Sequence, residues 1–178
     1  SANPHPYQHW TLKEIYEQPD ASLRAIGMGG RLTNASKVRL GGLYDNRELL
    51  REVNHIVIVG CGTSYFAGMI GMKTIRELCR FHSVQIIDGA DLETHDIAQN
   101  GRTAMILCSQ SGETKDLHRC VQIGKENNAI LIGVINVVDS LIAREVHCGC
   151  YLNAGREVAV ASTKSFTSQV VILTLISL

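Results

Sequence analysis

The sequence predicts an α/β fold of the flavodoxin-like class, a three-layer sandwich in which helices cover both faces of a five-stranded parallel sheet. Short, continuously apolar segments rich in β-branched residues, typical of strands buried on both faces, alternate with segments of helical spacing. Right-handed crossovers leave few topologies for such a chain, and we expect the strand order 2-1-3-4-5. The five predicted strands are residues 55–60, 83–88, 103–108, 129–136 and 148–153.

Helices are predicted between these strands and after the last one. The final helix is apolar to Leu178, without the Gly, Pro or basic residues that mark a helix C-terminus. We therefore expect a fragment of a longer protein, with an N-terminal helical arm and lead-in at 1–54 and the domain itself at 55–178. The predicted helices of the domain are residues 65–80, 90–100, 115–126, 139–144 and 162–178.

The arm is predicted from residues 11–28, which have helical spacing with Pro19 as a break or restart. Thr11 is followed three residues later by Glu14, the pattern of a capping box, so Thr11 is the predicted N-cap. The rest of the lead-in is predicted to be a loop at 31–43 and a short helix at 45–53.

Composition and charge limit the class of protein. The chain has 178 residues, 45% of them hydrophobic, a formal net charge of zero and a pI near 7.0. Nothing in this charge indicates nucleic-acid binding, and no apolar run is long enough to span a bilayer. We expect no nucleic acid or membrane partner, and a cytoplasmic location.

The cysteines predict neither disulfides nor a metal centre. Most lie inside apolar or helical segments, as Cys108 and Cys120 do, which suits reduced thiols in a cytosolic protein. Cys148 and Cys150 beside His147 resemble half of a metal site, but no second cluster supplies the remaining ligands. We expect no metal and no cofactor.

Residues 109–114 (SQSGET) connect a predicted strand to a predicted helix and have the composition of an anion site. The first N–H groups of a helix lack internal partners, and the helix dipole is positive there. Three hydroxyls fall within these residues, and Gly112 allows close approach of a phosphate-sized anion. The alternative is a helix cap, with Ser109 or Ser111 as the N-cap. This segment alone does not decide between the two.

A second hydroxyl-rich turn at residues 61–64 (CGTS) favours the anion site. In the order 2-1-3, a crevice opens between the carboxyl ends of strands 1 and 3, where ligands bind in such folds, and both turns end there. Two such helix N-termini at one crevice are less expected from capping alone. Neither turn contains Lys or Arg, which suits a phosphate monoester that exchanges freely.

Other phosphate motifs and a nucleophile are less well supported. The fingerprint G-x-G-x-x-G is incomplete because Tyr65 takes the place of the last glycine, and no G-x-x-x-x-G-K-[ST] string occurs. Cys61 stands at a helix N-terminus, where a thiol pKa can fall. No base stands beside it in the sequence, and the alternative role is packing under the turn.

A third segment, residues 153–166, follows the fifth strand and begins the last helix. Val160, Ser162 and Lys164 are expected at the same carboxyl edge of the sheet. The plain alternative for Ser162 is the N-cap of the last helix, and Glu157 is expected to be a solvated surface carboxylate.

A resemblance to a known family rests on four motifs: KEIYEQP (13–19), IVGCGTSYFAG (58–68), LCSQSGETKD (107–116) and NAGREVAVASTKSFTSQ (153–169). In this order and spacing they resemble the first sugar isomerase (SIS) domain of the glutamine–fructose-6-phosphate aminotransferases, and VRLGGL (38–43) is similar to the eukaryotic branch. SQSGET alone indicates only the SIS superfamily.

The resemblance implies a hexose 6-phosphate site in this chain and no catalytic residue. In the family, a glutaminase domain and two SIS domains make glucosamine 6-phosphate from fructose 6-phosphate and glutamine. The ring-opening histidine, acid–base glutamate and Schiff-base lysine belong to the second SIS domain and the tail. The implied substrate-binding residues are Cys61, Gly62, Thr63, Ser64, Ser109, Gln110, Ser111, Thr114, Val160 and Ser162.

Two further properties are implied by the resemblance. Eukaryotic members are similar in their inhibition by UDP-N-acetylglucosamine, and Arg31 and Gly133 match positions near that site. SIS domains usually pair, which implies a homo-oligomer. Arg156, Ala159 and Ser165 depart from the third motif of the domain. The alternative functions are a non-catalytic SIS sensor that regulates a partner and a ligand-free flavodoxin-like domain.

Overall fold

The computed structural model of the chain describes residues 3–178. Its strands are β1 Leu32–Asn34, β2 Lys37–Val38, β3 Val53–Gly60, β4 Ser83–Asp88, β5 Arg102–Ser109, β6 Ile130–Ile135 and β7 Cys148–Tyr151. Its α-helices are α1 Trp10–Tyr16, α2 Gln18–Ala25, α3 Gly41–Asp45, α4 Arg47–Leu50, α5 Thr63–Leu78, α6 Lys115–Glu126, α7 Leu141–Glu145 and α8 Lys164–Ser177.

Strands β3 to β7 form one parallel sheet in the order β4-β3-β5-β6-β7. Numbered along the chain from β3, this is the order 2-1-3-4-5, so the predicted flavodoxin-like sandwich is confirmed. Helices α2, α5 and α8 cover one face, and α6 and α7 cover the other.

The strands are continuously apolar because both faces of the sheet are buried. Ile58 and Val59 are adjacent in β3 and both 0% exposed, yet they belong to different cores. Ile58 packs in the core that contains Leu173 of α8, and Val59 packs in the core that contains Leu117 of α6. Alternate side chains of one strand thus fill opposite layers.

The arm forms two short helices that join at Glu17, and Pro19 lies in the first turn of α2, where its missing N–H costs no hydrogen bond. Ala21 and Ala25 of α2 are buried against the core of the domain. The predicted capping box was wrong. Helix α1 begins at Trp10 without a side-chain cap. Glu14 is buried, and its carboxylate accepts a hydrogen bond from the N–H of Val158 instead.

Three other local predictions need correction. The predicted loop at 31–43 contains the β1–β2 hairpin and the beginning of α3, and the single helix predicted at 45–53 is replaced by the end of α3, the short helix α4 and the first residue of β3. The helix predicted at 90–100 is only a 3-10 turn, Thr94–Asp96. In that turn, the Glu93 side chain accepts from the Asp96 N–H and the Asp96 side chain from the Glu93 N–H.

All six cysteines are free thiols. Burial raises the pKa of Cys108 and Cys120 to about 12, and of Cys148 and Cys150 to about 11. Over residues 3–178, no cluster of three His, Cys, Asp or Glu residues is arranged as a metal site. In the same range, no helix has the length and apolarity needed to cross a bilayer.

Candidate functional site

Two loops meet at the carboxyl edge of the sheet, where the strand order reverses. Strands β3 and β5 are direct neighbours and pair up to Val59 and Leu107. Residues 61–64 (the first loop) follow β3, and residues 109–114 (the second loop) leave β5 two residues beyond that pair. The first loop leads into α5 on one face of the sheet, and the second loop leads into α6 on the other face. A crevice therefore opens between the two helix N-termini.

The first loop places the beginning of α5 directly over β3. A Cβ at Gly60 would stand 2.8 Å from the backbone of Ser64, and Gly62 has a φ of +60° that favours glycine. Ser64 is 8% exposed, and its hydroxyl accepts a hydrogen bond from the side-chain amide of Gln169 at 2.9 Å. This bond occupies a lone pair of Ser64 Oγ and leaves its proton to be donated.

The second loop is held by its own hydroxyls. Ser109 Oγ accepts from the Gly112 N–H at 2.9 Å and lies 3.3 Å from Thr114 Oγ1. Ser111 Oγ accepts from the Glu113 N–H at 3.1 Å. The N-cap of α6 is Thr114, without a side-chain bond to the helix, so the capping alternative was wrong for both serines.

The segment around α7 braces the second loop from behind. The N–H of Ile142 donates to the carbonyl of Gly112, and the N–H of Leu141 donates to the carboxylate of Glu113. Gly112 has a φ of +67°, and a Cβ there would overlap the Ser140 side chain. The loop backbone is thus fixed, while the first N–H groups of α6 have no partner within the helix.

The third segment begins beside the same edge. Asn136, which follows β6, donates from Nδ2 to the carbonyl of Gly155 and accepts at Oδ1 from the N–H of Ala154. Farther along, Val160 is fully exposed and Ser162 is half-buried. These two hydrogen bonds with Asn136 connect the beginning of the segment to the end of β6, the strand next to β5.

Glu157, not Ser162, caps helix α8. Its Oε2 accepts from the N–H groups of Thr163 and Ser165 at 3.3 and 3.0 Å, and the helix begins at Lys164. Predicting Ser162 as the N-cap and Glu157 as a solvated carboxylate was therefore wrong. A carboxylate at a helix N-terminus is favoured by the helix dipole.

Lys164 points toward the arm. It is 4% exposed, and its Nζ lies 2.6 Å from the carboxylate of Glu17. A buried ammonium needs such a partner because the unpaired charge is costly in the interior. Lys164 lies at the beginning of α8, as predicted, but its ion pair with Glu17 was not predicted.

Cys61 is not set up as a nucleophile. Burial raises the pKa of its thiol, and the nearby Asp88 carboxylate raises it further, against smaller lowering by backbone hydrogen bonds from Gly89 and Ala90. A protonated thiol is a weak nucleophile. Its sulfur instead lies against the turn at Gly89, where a Cβ would meet it at 2.9 Å.

Arg31 and Gly133 lie apart from the two loops, along β7. Arg31 Nη1 donates to the carbonyls of Ala25 and Tyr151 at 2.7 and 3.1 Å. Gly133 pairs with Gly149 in β7, and both glycines line a cavity of about 170 Å³ that Tyr151 also lines. The two predicted residues thus share one neighbouring strand.

In the structure, the predicted residues of the first loop and of the second loop lie at one edge of the sheet. Hydrogen bonds with Asn136 connect the beginning of the third segment to the same edge. Sequence reasoning missed three side chains that hold these groups: Gln169 behind Ser64, and Glu14 and Glu157 behind the third segment. Their letters stand inside the quoted motifs, but nothing in the spacing indicates which backbone groups they contact.

Comparison with known proteins identifies the family that the chain resembles. The profile of the SIS domain family matches residues 49–178. A probable isomerising glutamine–fructose-6-phosphate aminotransferase of Acanthamoeba polyphaga mimivirus is 50% identical over 175 residues, which cover 98% of this chain and 28% of the relative. An enzyme of this name from Arabidopsis thaliana is 37% identical, over 97% of this chain and 26% of the relative.

A solved structure is similar over nearly the whole chain. The C-terminal domain of glucosamine-fructose-6-phosphate aminotransferase from Francisella tularensis superposes with a TM-score of 0.88 at 32% identity, covering 99% of this chain and 48% of that one. The present chain thus spans about a quarter of the length of its curated relatives. From the match of the family profile to most of its length, the chain belongs to the SIS domain family.

Proposed function

We propose that this chain is the sugar-phosphate-binding first SIS domain of an isomerising glutamine–fructose-6-phosphate aminotransferase, a cytoplasmic enzyme that makes glucosamine 6-phosphate. The observation that carries the proposal is the meeting of two hydroxyl-rich loops at the N-termini of α5 and α6. Relatives that bear this enzyme name match nearly the whole chain.

The second loop is the proposed phosphate site. A phosphate monoester accepts hydrogen bonds, and the N-terminus of α6 offers N–H donors and a positive dipole. The hydroxyl of Ser111 accepts within the loop, so its proton can be donated to the ligand. The proposed phosphate contacts are Ser109, Gln110, Ser111 and Thr114.

The first loop and the third segment are the proposed contacts for the rest of the sugar phosphate. Ser64 has the hydroxyl proton free to donate because its oxygen accepts from Gln169. Val160 presents an exposed apolar surface, which suits a face of a sugar. The proposed contacts are Cys61, Gly62, Thr63, Ser64, Val160 and Ser162.

Three ionisable groups at or beside the proposed contacts are already engaged within the fold. The Cys61 thiol is kept protonated, and the carboxylates of Glu14 and Glu157 both accept backbone N–H groups. None of the three is free to act as a general base on a sugar. We therefore propose that this chain binds hexose 6-phosphate and that proton transfer occurs elsewhere in the enzyme.

Calorimetric titration with fructose 6-phosphate tests the proposal. We expect saturable binding to the 178-residue chain and no formation of glucosamine 6-phosphate when ammonia is added. Ser109→Ala with Ser111→Ala should abolish measurable binding, whereas Ser36→Ala, a change in the β1–β2 turn, should not affect it. The absence of binding by the unchanged chain would refute the proposal, and turnover would refute the assignment of the chemistry to another domain.

A regulatory site for UDP-N-acetylglucosamine is a second candidate, supported by the cavity of about 170 Å³ beside Gly133 and Gly149. Gly133 and Gly149 are paired across β6 and β7 where they line this cavity, and Arg31 donates to the carbonyl of Tyr151, which also lines it. Titration with the nucleotide sugar tests this site, with Gly133→Val as the blocking variant. Binding of the nucleotide sugar but not of hexose 6-phosphate would favour the sensor function.

We also propose that the chain self-associates, as paired SIS domains do. Helix α5 exposes a row of large apolar side chains at helical spacing, which supports an interface there. They are Phe66, Met69, Ile70 and Leu78, between 37% and 58% exposed. Sedimentation velocity across a concentration series measures the association, and Phe66→Glu with Ile70→Lys should abolish it.

A further inference from the structure

The arm holds the third segment at several points, although the two are far apart in the sequence. Arg24 donates to the carbonyls of Asn153 and Ala154 at 2.7 and 3.1 Å, at the beginning of the segment. At its other end, α8 is joined to the arm by the Glu17–Lys164 ion pair and by a hydrogen bond from Thr167 Oγ1 to Gln18 Oε1, 2.5 Å apart.

Glu14 makes the central contact. Its carboxylate accepts from the N–H of Val158 at 2.6 Å and from the N–H of Ala159 at 3.2 Å. The residue is 1% exposed, so both hydrogen bonds are shielded from water. Bonds from N–H donors to a charged acceptor are stronger than neutral ones, and a buried donor without a partner is costly.

These contacts determine where Val160 and Ser162 lie. Val158 and Ala159 are held from one side by Glu14, and Thr163 is held from the other by Glu157. Only three residues separate these two anchors, and none of them is in a helix or strand. The short span leaves its side chains little freedom once both ends are fixed.

We infer that Glu14 is a positioning residue for the sugar-binding part of the site. The inference rests on the proposed function, because it takes Val160 and Ser162 as sugar contacts. Among residues 3–178, the hydrogen bonds of the Glu14 carboxylate go to Val158 and Ala159, whereas the second loop is held by the N–H groups of Leu141 and Ile142. Loss of Glu14 therefore weakens recognition of the sugar and leaves recognition of the phosphate intact.

The test compares two ligands on one protein. Amide chemical-shift titrations of the 178-residue chain with fructose 6-phosphate and with inorganic phosphate give both dissociation constants. We expect Glu14→Ala to weaken fructose 6-phosphate binding about tenfold, the effect of losing a hydrogen bond to a charged group, with inorganic phosphate unchanged. Glu14→Gln keeps one oxygen acceptor without the charge, so it should fold even if the alanine variant does not, and it should weaken fructose 6-phosphate binding about threefold with inorganic phosphate unchanged.

Asp20→Ala is the matched control. Asp20 is an exposed carboxylate of the same arm, and it makes no hydrogen bond or ion pair to the third segment among residues 3–178. We expect both ligands to bind this variant as they bind the unchanged chain. Circular dichroism and thermal melts establish that each variant is folded at the temperature of the titration.

The outcomes separate the inference from the proposed function. If the unchanged chain binds no fructose 6-phosphate, the proposed function fails and the inference fails with it. If the chain binds but Glu14→Ala, or Glu14→Gln where only that variant folds, binds fructose 6-phosphate equally well, only the inference is overturned. An equal loss for both ligands also overturns it, because a general structural effect does not distinguish sugar from phosphate.

Discussion

The side-chain amide of Gln169 in α8 donates a hydrogen bond to the hydroxyl of Ser64 in α5, at 2.9 Å. Gln169 is 1% exposed, so this bond lies inside the interface between the two helices. It connects the first loop of the crevice to the helix that follows the third segment. The bond makes the Ser64 hydroxyl an acceptor toward Gln169 and leaves its proton free to be donated elsewhere.

Gln169→Leu should therefore weaken ligand binding. The leucine keeps a similar volume but removes the donor, so the Ser64 hydroxyl loses its fixed orientation and has to find another partner. We expect about a fivefold weaker affinity for fructose 6-phosphate and a loss of about 1 kcal/mol in the free energy of unfolding. Calorimetry and urea unfolding measure the two effects.

Gln122→Leu is the control, since Gln122 is exposed on α6. Its affinity should match that of the unchanged chain. Unaltered affinity in Gln169→Leu would show that the orientation of Ser64 does not depend on this bond.

Gly112→Ala should destabilise the second loop more than a positive φ alone explains. Gly29 also has a positive φ, +87°, but nothing lies within 4 Å of a Cβ there, whereas at Gly112 a Cβ overlaps Ser140. We expect Gly112→Ala to lower the free energy of unfolding by about 3 kcal/mol and Gly29→Ala by about 1 kcal/mol. Urea unfolding measures both.

The overlap can be relieved by a second change. Ser140→Gly in the Gly112→Ala background should recover part of the lost stability. Equal stability of the Gly112→Ala and Gly29→Ala variants would contradict the close packing between the second loop and the α7 segment.

Glu157→Ala should destabilise the beginning of α8. The carboxylate accepts from two backbone N–H groups, which have no partner within the helix. The loss of a capping side chain costs about 1–2 kcal/mol. Hydrogen exchange should show faster exchange of the Thr163 and Ser165 amides, while the amide of Ile142 in α7 serves as the internal reference.

The buried thiols predict a decrease in stability at alkaline pH. Burial raises the pKa of Cys108 and Cys120 from 9.0 to about 12. Above pH 9.0 the unfolded chain releases these protons, whereas the folded chain keeps them until about pH 12. The free energy of unfolding therefore falls as pH rises through this window, by at most about 1.4 kcal/mol per pH unit for each thiol.

Cys108→Val isolates one of these contributions. Urea unfolding at several pH values above about 8 should give a shallower decrease for this variant than for the unchanged chain. Parallel curves would mean that the Cys108 thiol titrates alike in the folded and unfolded states.

The fold could be predicted because its signals are local and agree with one another. Residues 56–59 and 104–108 are continuously apolar, and a hydroxyl-rich loop follows each strand, so the meeting of the two loops at one edge follows from the strand order. The misassigned elements were short. At 90–100, a helical pattern of polar residues gave only a 3-10 turn, because Leu92 and Ile97 alone supply its buried contacts.

The supporting side chains could not be predicted from local pattern. Glu14 fits the spacing of a capping box, but in the fold its carboxylate finds donors 144 residues away. Glu157 appears as a polar residue in a loop, and only the direction of α8 reveals it as a cap. Contacts of this kind depend on how distant segments pack, and hydrophobic periodicity does not predict them.

The contacts of the arm also bear on the order in which the chain folds. Glu17 and Lys164 are separated by 147 residues, so this ion pair closes nearly the whole chain into one loop. Pairs of such separation form late, because the entropy of closing the loop is lost before the contact is gained. During synthesis the arm is made before α8, so its contacts with Lys164 and Thr167 cannot form until α8 is made. The third segment is therefore expected to be among the last parts to reach its final conformation.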